Sequence, residues 1–276
     1  GPPAAERIVA VPARGRGFRA TLPAGERLLD AAHAAFAREG FAGGVIEIGE
    51  MALGPFAYVM PALSKTPDHA AFYSDMRRPA GVTRLSAGAM TLGRRDGAPF
   101  FHCHALWREA DGTLSGGHIL PEETRLAEAA EVACFGLDGA IFQADPDPET
   151  NFKLFGPAPE PPRGARTDCE AFAIRLRPNQ DFAGALARFC AERGLARARV
   201  RGGVGSTIGA AFEDGATVEN FATEVFVRAG AVSADGASLE VGLVDFAGGR
   251  ACGRLRQGDN PVLMTFELAS EVVAAE

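Results

Sequence analysis

Three of the chain's five histidines fall within seventeen residues: His102 and His104 in Phe-Phe-His-Cys-His-Ala-Leu-Trp, and His118 in Ser-Gly-Gly-His-Ile-Leu. The first run is apolar and rich in β-forming residues, so it reads as a strand. Residues two apart on a strand point to the same face, which places both imidazoles together and turns Cys103 away. The intervening Glu-Ala-Asp-Gly-Thr has turn chemistry, and a hairpin there returns His118 toward the same face. Three convergent neutral imidazoles with an open fourth position suit a divalent ion of the zinc type. Such an ion lowers the pKa of a bound water or polarises a carbonyl or carboxylate, so hydrolysis, hydration and lyase chemistry are all compatible. The alternative is three unrelated buried or interface histidines.

The elements that must position these residues occur twice. Residues 156–166, Gly-Pro-Ala-Pro-Glu-Pro-Pro-Arg-Gly-Ala-Arg, carry four prolines and read as a semi-rigid linker. Before it, Phe18-Arg-Ala-Thr-Leu leads through a short turn into an Ala-rich amphipathic stretch, Glu26 to Gly40. After it, Phe172-Ala-Ile-Arg-Leu leads in the same way into Asp181 to Gly194. Each is a strand, a turn and a helix stopped by Gly. Both halves then continue through glycine-containing β-like stretches and end in apolar alternating segments. The expectation is a duplicated domain: residues 1–155, the linker, and residues 167–276. Aligning Ala-Leu-Trp-Arg-Glu-Ala-Asp-Gly112 with Gly-Leu-Val-Asp-Phe-Ala-Gly-Gly249 sets Leu239 and Val241 against His102 and His104, with Arg254 against His118. On that alignment the second copy keeps the apolar pattern and drops the site, so the histidines serve function rather than folding.

The run from His102 to Leu120 resembles the signature of the PPC (plant and prokaryote conserved) domain, with its His-x-His strand, Asp-Gly turn and Gly-Gly-His. Pro-Glu-Thr-Asn-Phe-Lys at 148–153 resembles that family's usual ending. The likeness covers residues 17–155 well and 168–276 weakly. It implies an α/β (α+β) fold: two tandem PPC-like domains, each an antiparallel-rich mixed sheet packed with one main Ala-rich helix. It further implies a trimer, with the positions of His102, His104 and His118 lining a zinc-type site. Bacterial members are often labelled DNA-binding by association with plant relatives that carry an AT-hook. The nearest segment here, Pro12-Ala-Arg-Gly-Arg-Gly-Phe18, lacks the hook's proline and runs into a predicted strand. A cupin pattern, with Glu109 as a ligand, fits the first motif. It has no second motif, since no histidine follows residue 120.

Composition narrows the field. A net charge of −7 disfavours a dedicated nucleic-acid binder, although Arg199, Arg201, Arg250, Arg254 and Arg256 could form a local basic patch. No apolar run approaches a membrane span, and no signal-peptide pattern opens the chain. Five dispersed cysteines read as reduced thiols in a cytoplasmic protein.

Further candidates surround the histidines. The proline-bounded stretch from Met60 to Pro79 has no counterpart in the second half, and long unique loops often act as lids. Lys65, His69, Arg77 and Arg78 are candidates for gripping an anionic substrate, with Tyr73 as a candidate catalytic group. A solvated or oligomer-contacting loop is the alternative. Glu47 and Glu131 lie in predicted strands and could orient a histidine or act as a base; an exposed strand face is the plainer explanation. The reading is a metal-binding PPC-like protein, open to being a metal-dependent enzyme on a small, anionic molecule. Its rivals are a DNA-binding regulator and a non-catalytic oligomeric module.

Overall fold

Long β-forming runs, broken by glycine and Asp-Gly turns, give a chain dominated by antiparallel strands. The computed structural model describes residues 1–274. The first half runs β1 (Ile8–Leu22), α1 (Leu28–Arg38), β2 (Gly43–Ile48), four short strands β3 (Met51–Leu53), β4 (Tyr58–Val59), β5 (Pro61–Ala62) and β6 (Phe72–Tyr73), and β7 (Thr83–Arg95). It continues through β8 (Ala98–Arg108), β9 (Leu114–Ile119), β10 (Ala130–Asp138), β11 (Ala140–Asp147) and β12 (Phe152–Pro159). The second half runs β13 (Cys169–Leu176), α2 (Phe182–Arg193), β14 (Ala198–Ala211), β15 (Thr217–Ser233), β16 (Gly236–Asp245), β17 (Arg250–Arg254) and β18 (Val262–Val272).

The strand order β1-β10-β2-β7-β8-β9 repeats as β13-β18-β14-β15-β16-β17, and an antiparallel β1–β13 pair joins the two into one sheet. Each half carries one helix, as expected. The α/β description still overstates helix, because strand takes 58% of the chain and helix 8%. The long meander strands, 17 residues in β15, account for the excess. The linker also begins later than its prolines suggest. Residues 156–159 belong to β12, where Pro157 and Pro159 sit opposite Phe142 and Ala140. β12 pairs only with β11, and an edge strand tolerates a missing N–H on its outer side.

Both helices pack an apolar face on their own half. In α2, Asp181 caps the start by accepting from the Gly184 N–H at 2.7 Å, and Gly194 ends it at φ 65°. Phe182, Leu186 and Phe189 are its buried face. In α1, Leu28, Ala32 and Phe36 do the same, with Arg27 paired to Asp30 at the first turn.

The two halves also pack directly against each other. Val204, Phe226 and Val244 of the second half sit in the same core as Leu106 of the first. Gly116 lets the two halves approach: a Cβ there would lie 2.6 Å from Leu106 Cδ2 and 3.2 Å from Val244 Cβ. Burying a phenylalanine such as Phe226 contributes about 1.5–3 kcal/mol to this boundary.

A charge cluster fastens the same boundary. Asp147, at the end of β11, is buried and accepts from Arg175 at 2.6 Å, Arg177 at 2.9 Å and Thr150 at 3.0 Å. Thr150 and Asn151 belong to the Pro-Glu-Thr-Asn-Phe turn, where Asn151 adopts φ 61°. Burial would raise the Asp147 carboxyl, but Arg175, Arg177 and Thr150 hold it below its usual 3.8. A depressed carboxyl stabilises the fold above its unfolded value and loses that contribution as pH falls through the folded one. Asp147→Asn should therefore cost about 3 kcal/mol at neutral pH, measured by urea unfolding. The gap from wild type should shrink below about pH 4.

Candidate metal centre

The hairpin of β8 and β9 sets His104 directly opposite His118, and His102 lies two residues along on the same face. Cys103, with its side chain on the other face, packs in the core with Met90 and Trp107. This face is closed over by the second half. Glu224 of β15 reaches His104, with Oε2 2.6 Å from Nε2, and Glu267 of β18 meets His102 Nδ1. Both carboxylates come from the copy expected to have lost the site, which instead supplies its acidic wall.

His104 Nε2 is the hub. It lies 2.9 Å from His102 Nε2 and 3.3 Å from His118 Nδ1 as well as beside Glu224. The ligating atoms of His102, His104, His118 and Glu224 all lie within 4.8 Å of one another. Behind them, His104 Nδ1 donates to the Val225 carbonyl at 2.9 Å, which directs Nε2 toward the cluster. His102 Nδ1 is held by Glu267, which also accepts from Thr91 Oγ1 at 3.1 Å. A histidine whose second nitrogen is engaged by a carboxylate or carbonyl is the usual support for a metal-ligating ring.

Electrostatics point the same way. Burial, with the neighbouring His104, pushes His102 well below the ordinary imidazole value. Burial and both other rings do the same to His118. These two rings therefore present lone pairs at neutral pH. Burial would lower His104 too, yet Glu224, the Val225 carbonyl and Glu267 raise it. The Glu224 carboxylate thus favours positive charge on His104 at the place where the donor atoms converge. Burial lifts the Glu267 carboxyl to about 8, and its Oε2 is buried with no hydrogen-bond partner. Three imidazoles, a carboxylate at the centre and a buried carboxylate behind them fit a borderline divalent cation, whose charge the two glutamates would balance.

A cavity of about 40 Å³ adjoins the cluster, with His102, His104 and Glu224 at one end and Phe72, Tyr73, Phe152 and Leu263 among its walls. That is room for an ion's ligand of about two water molecules. Of the stretch 60–79, Tyr73 reaches the site, its ring 5.1 Å from that of His118, and burial holds its hydroxyl well above the usual value. Lys65, His69 and Arg77 line a separate cavity of about 730 Å³ beyond Phe72 and Tyr73. Arg78 pairs with Glu123. Among the described residues no lysine or arginine lines the histidine cavity, so the four do not gather around the cluster as a grip on an anion.

Glu131 is exposed and accepts from Thr21, while Glu47 faces a different cleft. Glu109 is half-buried, accepting from Tyr58 and Trp107, and lies outside the cluster. The alignment of the copies also shifts by one residue. Glu240, not Val241, pairs with Arg254 as His104 pairs with His118. Leu239 and Val241 belong to the core under α2. Ser238 and Glu240 are thus the counterparts of His102 and His104.

No protein-family model matches the chain, and no curated protein matches it. Solved structures resemble about half of it. A plant- and prokaryote-conserved (PPC) protein of Pyrococcus horikoshii is 22% identical, covering 52% of this chain and 92% of its own at a TM-score of 0.41. A metal-containing protein of Archaeoglobus fulgidus is 20% identical, covering 52% and 94% at 0.39. A protein of Bacteroides thetaiotaomicron, described as a DNA-binding candidate, is 14% identical, covering 51% and 91% at 0.38. The structural neighbours of this chain therefore include a PPC protein and a metal-containing protein, each spanning about half of it.

Proposed function

We propose that this chain is a metal-binding protein that holds one divalent ion, zinc in the first instance, on His102, His104, His118 and Glu224. The observation that carries this reading is the convergence of those four donor atoms, two of whose rings are held from behind by Glu267 and the Val225 carbonyl. A divalent ion there supplies Lewis acidity to a bound water or carbonyl oxygen. The chain's own residues limit what it can act on. Among the described residues the small cavity is lined by the Glu224 carboxylate and by no lysine or arginine, which favours a compact, uncharged ligand over an anionic one. Phe72, Tyr73 and Phe152 give that ligand an apolar wall. A homo-oligomer, with the trimer as the first state to test by light scattering, and a cytoplasmic setting complete the reading.

The test is elemental analysis of protein purified without chelator or nickel resin. Wild type should carry about one ion per chain, and His104→Ala about none, with unchanged circular dichroism. Wild type without metal after reconstitution, or a variant that keeps its full complement, would overturn the assignment.

DNA binding draws less support. Arg199, Arg201 and Arg254 share one cleft, but Arg250 and Arg256 lie outside it. Arg256 is paired with Asp259.

A further inference from the structure

Duplication leaves two equivalent faces between the halves, and only one carries histidines. The meander β7-β8-β9 recurs as β15-β16-β17, with Glu240 opposite Arg254 where the first half has His104 opposite His118. This second face also forms a cleft against the other half, of about 370 Å³, closed on the far side by Glu47 and Phe135. Four guanidiniums line it: Arg199 and Arg201 from β14, Arg228 from β15 and Arg254 from β17. Among the described residues two carboxylates, Glu47 and Glu240, share the lining, in a chain whose overall charge is −7.

We infer that this cleft is an anion site for a small phosphorylated ligand. The arginines are positioned but not used up. Arg201 lies over the Phe135 ring, 5.3 Å from its centroid, and is anchored from behind by Glu271 at 2.5 Å. The remaining pairs are looser: Arg228–Glu240 at 3.3 Å, Arg254–Glu213 at 3.5 Å and Arg199–Glu271 at 3.6 Å, with these arginines at about half exposure. Exposed pairs of that kind are worth about 0–1 kcal/mol, so a ligand can displace them cheaply. Guanidiniums bind phosphate oxygens in bidentate, charge-assisted fashion, a stronger contact than a long surface pair. The volume falls at the small-molecule end of binding clefts, and its concave shape suits a compact polyanion better than the broad face of a duplex.

Inorganic pyrophosphate is the probe, titrated calorimetrically into the full chain at low and near-physiological salt. Wild type should bind it saturably. Arg228→Ala/Arg254→Ala should bind at least about tenfold more weakly, with the charge-retaining Lys pair in between. Arg250→Ala, outside the cleft, should match wild type, and circular dichroism should show every variant folded. No saturable binding, or equal loss in Arg250→Ala, would overturn the site. A short DNA duplex that displaces pyrophosphate and binds more tightly at near-physiological salt would overturn the small-ligand assignment in favour of a nucleic-acid surface. Metal content is read alongside and should not change.

Discussion

Zinc added to metal-free protein is expected to raise its thermal midpoint by about 5–10 °C at a free concentration near a hundredfold over the dissociation constant. Binding to the folded state alone contributes about 2.7 kcal/mol under that condition. For a chain of this size each kcal/mol moves the midpoint by roughly 2–4 °C. Glu224→Gln is the informative variant. It keeps the size of the side chain and removes the charge nearest His104 Nε2, so metal affinity should fall at least about a hundredfold and the thermal gain should largely disappear. Retention of full affinity by Glu224→Gln would reduce the centre to its three imidazoles.

That dependence on the second half marks the boundary of what the sequence displays. Side-chain alternation was enough to place His102 and His104 on one face and Cys103 on the other, and the Asp-Gly turn was enough to bring His118 opposite His104. Both regions expected to be helical, ahead of Gly40 and Gly194, are helices. The carboxylates were hidden because they are joined to the histidines by contacts 120 to 165 residues long in sequence, between His104 and Glu224 and between His102 and Glu267. A local signal did exist. Glu267 in Met-Thr-Phe-Glu-Leu and Glu224 in Ala-Thr-Glu-Val-Phe each interrupt a largely apolar stretch, and a charge buried there needs a partner. The one-residue error in aligning the copies came from matching Gly112 with Gly249, whereas the ladders equate the Arg108–Leu114 pair with Val244–Arg250. A slip of one residue exchanges the two faces of a strand.

Glu267→Gln should separate what the metal-free and metal-bound states ask of this residue. Without metal, burial lifts the Glu267 carboxyl to about 8 from 4.5, so the folded chain holds a proton that the unfolded chain releases. The folded state then binds more protons than the unfolded state between those values, and stability must fall as pH rises through that window. The amide cannot ionise, so the metal-free variant should gain on wild type progressively from about pH 5 to pH 8. The gain should be on the order of a few kcal/mol at the upper end, read from urea midpoints. With metal the ordering should reverse. An ionised Glu267 accepting from His102 Nδ1 aligns that ring and strengthens its other nitrogen as a donor atom, and losing such support typically costs 10–100-fold in affinity. The same substitution should therefore stabilise the empty fold at pH 8 and weaken zinc binding there. A residue kept only for packing would do neither. If Glu267→Gln changed stability equally at pH 5 and pH 8 and left zinc affinity intact, the buried carboxylate would be a structural group rather than the support of His102.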